Sequence, residues 1–404
     1  MRIVGLFIES SRAYGRGLLL GIAKYMRARN DWSIVYQERT LGDAIPAHLA
    51  GRRFDGVLAR IDTIRQRDWL SKLNIPVIDL RGSWDHPRFP RILIDDKAVA
   101  ELAAQHLLAR GTRYFAFCGF AGADYSQNRR DSFCTAIRAA GHTVSVYESP
   151  AAPRGAGTSA YESTAAAHEQ EMGNWLRRLP QPTGLMACND VCGRQVIELC
   201  HLHGMKVPDH IAVIGVDNDE MFCELAEPTM SSVILPTERI GYQAAELLSA
   251  MMNGTEPPRH EVLIPPVAVM KRHSTDAAVG DDPYVASALA FIRENARTGI
   301  NVEDILDHLA NLGLNISRST LDRKFRKALR CSPKDQILEV RLERIRQLLW
   351  STTYSLERIA ALVGLSGASQ LAMVFKHRTG QTPGEFRAMA CSDQRQDYRP
   401  GAVE

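Results

Sequence analysis

The sequence predicts an α/β region with two lobes, each a doubly wound parallel sheet, followed by an all-α region carrying two helix-turn-helix units in tandem. Three observations predict this. From residue 2 to about residue 270, short apolar runs alternate with amphipathic helical stretches, the signature of strand-helix-strand units. That stretch is longer than one compact sheet needs, so it divides into two lobes. In the last third, a short apolar helix face, a turn and a second helix with inward residues about four apart occur twice.

The strands are predicted at Ile3–Ile8, Ser33–Tyr36, Gly56–Ala59, Val77–Leu80, Ile92–Ile94, Tyr114–Cys118, Thr143–Tyr147, Leu185–Ala187, Ile211–Val216 and Ser232–Leu235. Most are short, near-continuous apolar runs, as strands buried on both faces must be. Helices are predicted around Leu18–Met26, Ala98–Leu108, Phe133–Ala140, Gly193–His201, Met221–Leu225 and Ile240–Met252, where apolar residues recur at helical spacing. The segment Pro150–Ser159, rich in Pro, Ala and Gly, reads as a surface loop.

In the first C-terminal unit, Val302, Ile305, Leu306 and Leu309 form one helix face. Ser317 is a good N-cap for a helix running to about Arg330, in which Leu321, Phe325 and Leu329 point inward. Its other faces carry Arg318, Arg323, Lys324, Arg326, Lys327 and Arg330 against the single acid Asp322. That density of like charge is costly unless a polyanion lies nearby; the plainer alternative is a solvated face. Pro333 to Trp350 reads as a connecting helix with Ile337, Val340, Ile345, Leu348 and Leu349 inward. In the second unit Ile359, Ala360, Leu362 and Val363 make an apolar face, and Gly364 turns the chain. Leu371, Val374 and Phe375 line the buried side of the next helix, and Pro383 starts a last short one.

The order Ser317-Arg318-Ser319, Leu321, Arg323, Phe325, Ser332-Pro333, Arg341-Leu342, Gly364-Leu365, Val374-Phe375-Lys376, Gly380-Gln381-Thr382-Pro383, Phe386-Arg387 resembles the AraC-type transcription regulators. The likeness runs over about residues 284–390. It implies that both units sit on one connecting helix and enter successive major grooves of double-stranded DNA. Candidate DNA contacts are Arg318, Ser319, Asp322, Arg323, Arg326 and Lys327 in the first unit, with Ser369, Gln370 and Lys376 in the second. Two departures stand out. Residues Ala310–Ile316 exceed the usual tight turn, which either lengthens the turn or shifts the helix start. Leu371 and Met373 stand where Phe and Arg are usual, leaving that helix fewer polar groups to read bases.

Composition bounds the remaining possibilities. Of the chain's 404 residues, 45% are hydrophobic and 24% charged, ordinary for a soluble globular protein. Residues 281–404 hold 18 Lys+Arg against 15 Asp+Glu, which leaves the front part neutral, so only the local cluster at 318–330 asks for nucleic acid. The eight cysteines lack any CxxC pair or zinc spacing and read as buried free thiols in a reducing cytoplasm. No metal or cofactor is expected. His201 and His203 read as surface, no segment is predicted to span a membrane, and the opening apolar run breaks at Glu9, too early for a signal-peptide core.

Ligands of doubly wound sheets bind beyond the carboxyl ends of the strands. Those positions hold Glu9 to Tyr14, Asp95-Asp96, Asp124 to Arg129, Asn189-Asp190 and Asp217-Asn218-Asp219. Carboxylates, amides, an arginine and aromatics together suit a neutral polyhydroxylated ligand. Helix capping is the competing explanation for each acid and amide, and is preferred for Asp96 and Asn218.

The runs Ala187-Cys188-Asn189-Asp190 and Val213 to Asn218, and Arg129 four before Phe133, resemble the periplasmic-binding-protein-like sensor of the lactose-repressor superfamily. Those repressors carry their DNA-binding helices before the sensor, whereas here the first strand begins at Arg2. A sensor of that type ahead of an AraC-type unit is similar to the xylose operon regulators, a likeness that extends to Arg12-Ala13-Tyr14, Gly241 to Ala245 and Ile264 to Val267.

The resemblance implies a sugar effector, D-xylose, held by Ser11, Tyr14, Arg129, Asn189, Asp190 and Asp217. It also implies a homodimer working with RNA polymerase; another pentose, a hexose or a purine remain alternative effectors. An enzyme with a DNA-binding tail, such as a DNA-repair alkyl transferase, would need a metal-ligating Cys cluster, and no phosphate loop, nucleophile elbow or HExxH is present. The expected division is a sensor over 1–275, a linker at 276–283, the DNA-binding domain at 284–390 and a tail at 391–404.

Overall fold

The structure is a computed structural model that describes residues 1–29, 31–38, 40, 49, 51–152, 157–257, 260–275, 282–296, 299–329, 331–352 and 354–387. The tail, most of the linker, Arg330 and residues 153–156 of the expected surface loop lie outside them. The chain divides into two units, Met1–Asp276 and Ala277–Glu404.

The first unit holds two six-stranded sheets. Strands β1 (Arg2–Phe7), β2 (Trp32–Tyr36), β3 (Gly56–Ala59), β4 (Val77–Asp79) and β5 (Arg91–Ile94) precede β6 (Tyr114–Phe120), β7 (Val144–Ser149), β8 (Thr183–Ala187), β9 (Ile211–Asp217), β10 (Ser231–Ile234), β11 (Glu261–Ile264) and β12 (Ala268–Met270). The first lobe's sheet runs β11-β5-β4-β3-β1-β2 and is wholly parallel. The second lobe's sheet runs β12-β10-β9-β8-β6-β7, with only β12 antiparallel. The chain crosses between lobes three times: after β5, after β10 and between β11 and β12. Helix Asp96–Leu108 therefore packs on the second sheet, and helix Thr237–Met252 on the first.

That last helix lies close against helix Ala13–Arg29. A Cβ on Gly17 would fall 1.9 Å from Thr237 Oγ1, and one on Gly241 would fall 2.1 Å from the Leu18 carbonyl. Glycine is needed because the two backbones nearly touch. Val4, Leu18, Ile22, Phe117, Phe133, Leu185, Val213 and Ile240 are fully buried.

The second unit is all helix: Pro283–Asn295, Val302–Asn311, Arg318–Leu329, Pro333–Ser351, Leu356–Leu362 and Ala368–Thr379. Asp282 caps the first of these by accepting from the Tyr284 amide, so helix begins inside the stretch expected to be linker. Two cores form. Ile305, Leu309, Leu321, Phe325 and Ile337 fill one; Leu342, Ile345, Leu348, Leu349, Ile359, Leu371 and Phe375 fill the other. The connecting helix supplies residues to both. Leu362, expected inward, is 45% exposed, because the helix face turns with Ile359, Ala360 and Val363. The extra residues of the first unit prove to be a longer turn. The helix ends at Asn311, Gly313 takes φ +76°, and the Leu314 amide donates back to the Leu309 carbonyl. Among the described residues, no helix is long and apolar enough to cross a membrane, and no group of side chains could hold a metal ion.

Candidate ligand cleft and nucleic-acid interface

A cavity of about 480 Å³ opens between the two lobes, at the carboxyl ends of both sheets. Segments at the ends of successive strands build it: Arg12 and Tyr14 after β1, Arg60 after β3, Arg81 after β4, Asp96 after β5, Asp124, Tyr125, Asn128 and Arg129 after β6, Asn189 and Asp190 after β8, and Asp217 and Asp219 at the end of β9. Five of the six expected ligand residues line it, namely Tyr14, Arg129, Asn189, Asp190 and Asp217; Ser11 sits on the same loop but not in the wall.

The arginines are neutralised in place. Arg60 pairs with Glu9, Arg12 with Glu162, Arg129 Nε with Asp96 at 2.8 Å and Arg81 with Asp62 at 3.5 Å. Each also lies over an aromatic ring: Arg60 over Tyr14, Arg12 over Phe222, and both Arg81 and Arg129 over Tyr125, at 4.6–5.2 Å. Asp96 is thus an arginine partner, contrary to its reading as a cap; Asp95 caps that helix instead, accepting from the Ala98 amide. Asn218 does not cap either, and accepts from Arg272 Nη1 at 2.9 Å.

Asn189 and Asp190 serve the fold as well as the cleft. Asn189 caps the helix that begins at Asp190, while its amide donates to the Tyr125 hydroxyl at 3.4 Å. Asp190 is 1% exposed and accepts from Ser232 Oγ (2.6 Å), the Asp219 amide (2.7 Å) and Cys223 Sγ (3.5 Å). Burial, with the charge of Asp217, pushes its titration well above the usual carboxylate range.

Asp217 differs from both. Among the described residues no donor reaches its carboxylate, and its backbone holds φ +107°, which non-glycine residues seldom adopt. Burial, opposed by Arg129 and Arg60, raises its pKa to about 6. Tyr14 is pushed to about 12, chiefly by burial. Arg12 and Arg60 each keep a buried Nε without a hydrogen-bond partner, while Arg81 Nε has only its 3.5 Å ion pair with Asp62 and Asp219 Oδ1 only a 3.8 Å ion pair with Arg16. The wall thus sets four paired arginines and an unpaired Asp217 against aromatic faces, with none of those arginines left free for an anion. Such a surface fits an uncharged ligand dense in hydroxyls.

Arg60, Arg81, Glu162 and Phe222 were not singled out in the sequence. The first two follow strands and obey the same carboxyl-end rule as the others. Glu162 belongs to a helix and is placed only by the tertiary fold.

In the helical unit, Ser317 Oγ caps the first recognition helix through the Thr320 amide at 3.3 Å. Its cations divide. Arg318 pairs with Glu303, and Lys324 Nζ meets Asp282 at 2.5 Å while lying 4.7 Å over the Tyr284 ring. Arg323, Arg326 and Lys327 are exposed without a partner among the described residues, Ser319 is exposed beside Ser317, and Asp322 is half-buried. On the second recognition helix Ser369, Gln370 and Lys376 are exposed around a buried Leu371 and Phe375, with Gln370 Oε1 accepting from Ser366. The expected DNA contacts of each unit therefore lie on the solvent side of its recognition helix, Asp322 excepted.

Comparison with known proteins agrees with this architecture. Residues 2–96 match the family described as the XylR N-terminal domain, 104–275 the periplasmic binding protein-like domain, and 313–389 a helix-turn-helix domain. The chain is 30% identical to the xylose operon regulatory protein of Haemophilus influenzae, over 95% of this chain and 97% of that one. It is 31% identical to the protein of the same name from Escherichia coli K12, over 95% and 96%. Among solved structures, one described as a xylose-binding transcription activator matches with a TM-score of 0.59 at 29% identity, covering 96% of this chain and 98% of its own. With relatives at this identity aligned along nearly their whole length, and all three of their parts found here in order, the chain belongs to the xylose operon regulatory protein family.

Proposed function

We propose that this chain is a sugar-responsive, sequence-specific transcription regulator of xylose-use genes. D-xylose, held between the sensor lobes, sets how the tandem helix-turn-helix unit engages promoter DNA. The observation that carries the reading is the cleft wall: paired arginines over Tyr14, Tyr125 and Phe222, with Asp217 left as an acceptor awaiting a hydroxyl. The paired arginines leave no guanidinium free to hold an anionic ligand, whereas the hydroxyls of a neutral pentose can meet Asp217 and the other polar groups of the wall. Aromatic faces cover the apolar side of the sugar ring.

The protein performs no chemistry on its ligand. Arg323, Arg326 and Lys327 supply the first unit's DNA contacts, with Arg318 and Ser319 beside them and Asp322 at the edge; Ser369, Gln370 and Lys376 supply the second's. The active form is a homodimer in the cytoplasm, acting with RNA polymerase. Six buried free thiols in the sensor suit a reducing compartment. Sugar and DNA affinities are reciprocally linked, so each ligand changes the other's binding by the same factor.

The test is calorimetric titration of the full chain with D-xylose beside arabinose, ribose, glucose and a purine base. Selective heat with xylose is the expected result. Heat with another of these alone keeps the sensor and replaces the effector; saturating ligand that leaves DNA affinity and transcription unchanged overturns the regulatory reading.

A further inference from the structure

We infer that the two lobes of the sensor cap one another's helices, making Asp62 and Asp219 positioning residues through which closure of the cleft, and so ligand affinity, is set. Helix Thr158–Ala167 belongs to the second lobe, and its N-cap residue is Gly157, which has no side chain to cap with. Its cap comes from the first lobe. Both oxygens of Asp62 accept from the Thr158 amide, at 3.1 and 2.9 Å, and Oδ1 also accepts from Thr158 Oγ1 at 2.8 Å. Asp62 is free to do so because its neighbour Thr63 caps the helix that follows in its own lobe. Arg81, also of the first lobe, donates to the same Thr158 hydroxyl at 2.8 Å.

The reverse arrangement is also present. Helix Ala13–Arg29 belongs to the first lobe, and its first amide, on Ala13, donates to Asp219 Oδ2 of the second lobe at 2.9 Å. Asp219 occupies the N-cap position of its own short helix yet makes no cap bond there. The Asp190 carboxylate, accepting from the Asp219 amide, holds that loop in place. The Arg12–Glu162 pair spans the lobes between these two points.

A carboxylate at a helix N-terminus satisfies an orphan amide and complements the helix dipole. In each case the lobe that gains the cap is not the lobe that supplies it. Opening the cleft uncaps both helices at once, so both caps count toward the closed state. If the ligand binds only that state, its apparent affinity scales with the fraction of molecules closed. Losing one N-cap shifts such an equilibrium by about tenfold.

The inference rests on the sugar-binding reading, and the experiment separates the two. The full-length chain and its Asp62→Ala variant are compared by hydrogen exchange at the Thr158 and Ala13 amides, and by titration with D-xylose. Asp62 does not line the cavity but pairs with Arg81, which does, so exchange at the Ala13 amide, which Asp62 does not touch, is the readout that a disturbed wall would not move. The expected result is faster exchange at both amides, although Asp219 is untouched, and xylose binding weakened by up to about tenfold. Asp62→Asn, which keeps the shape and an acceptor, should restore part of both. If Asp62→Ala fails to fold, Asp62→Asn carries the test through exchange at Ala13: faster exchange there supports the latch and unchanged exchange overturns it. Faster exchange at Thr158 alone, with xylose affinity unchanged, reduces Asp62 to a local cap and refutes the inference. Coupled exchange in a chain that binds no xylose keeps the latch and refutes the effector.

Discussion

Replacing Asp217 by Asn should stabilise the ligand-free protein at neutral pH while weakening its ligand binding. The Asp217 carboxyl titrates near pH 6 in the folded chain against an ordinary 3.8, because burial disfavours its charge more than Arg129 and Arg60 favour it. Below about pH 4 folded and unfolded chains both hold the proton, and the penalty is absent. As pH rises from about 4 to 6 the unfolded chain releases its proton first, so unfolding becomes easier; above 6 the full penalty applies. At pH 7.5 it amounts to about 3 kcal/mol.

Asn has the same shape, carries no charge and tolerates positive φ about as well as Asp, so the backbone at +107° adds no new strain. For a unit of this size about 3 kcal/mol corresponds to roughly 5 °C in the unfolding midpoint. Scanning calorimetry of the native chain and the Asp217→Asn variant, without ligand, should show that gap at pH 7.5 and its near-disappearance at pH 4. A variant no more stable than the native chain at pH 7.5, or a gap independent of pH, refutes the argument that the cleft holds a charge at the cost of stability.

The same titration makes ligand binding depend on pH. If the ionised Asp217 accepts a sugar hydroxyl, xylose affinity should fall about tenfold from pH 7 to pH 5, and calorimetry on Asp217→Asn should give a flatter profile. Substituting Arg326 by Ala should cost about 1–3 kcal/mol of discrimination at one base pair if the guanidinium reads a base edge. If it touches phosphate, all sequences weaken alike and the salt dependence loses about one unit of slope, so a binding-salt series on operator and random DNA decides between them. Phe375 is fully buried in the second helical core. Phe375→Ala should cost about 3–5 kcal/mol there and abolish tight DNA binding; sugar heat equal to that of the native chain would show the damage is local.

Much of the sensor was legible because its strands are buried on both faces and so spell continuous apolar runs. The ten expected strands all appear, shifted by a few residues at most. The last two, Glu261–Ile264 and Ala268–Met270, are edge strands whose three-residue apolar runs are separated only by Pro265, Pro266 and Val267, and no amphipathic helix sets them apart as a strand-helix-strand unit. Helices Thr158–Ala167 and Glu169–Arg178 also went unread, the first being rich in Ala, Ser and Thr without a clear apolar stripe.

In the cleft, the rule that ligands gather at strand carboxyl ends found Tyr14, Arg129, Asn189, Asp190 and Asp217, and it applies equally to Arg60 and Arg81. What no local rule could supply was the pairing. Asp62 and Thr158 are 96 positions apart, and nothing near either one announces the other. The choice between Asp95 and Asp96 as cap turned on one residue of register, and a partner 33 positions away took the second acid.

The connecting helix Pro333–Ser351 belongs to both cores of the helical unit, with Ile337 in one and Leu342, Ile345, Leu348 and Leu349 in the other. Neither core can come apart without stripping apolar surface from a helix that the other needs. Arg341, near its middle, donates to the Ala296 and Ile300 carbonyls and fastens it to the loop ahead of the first unit. The two DNA-reading halves are therefore one cooperative foldon, in which partial melting has no cheap intermediate and damage to either half is felt by both.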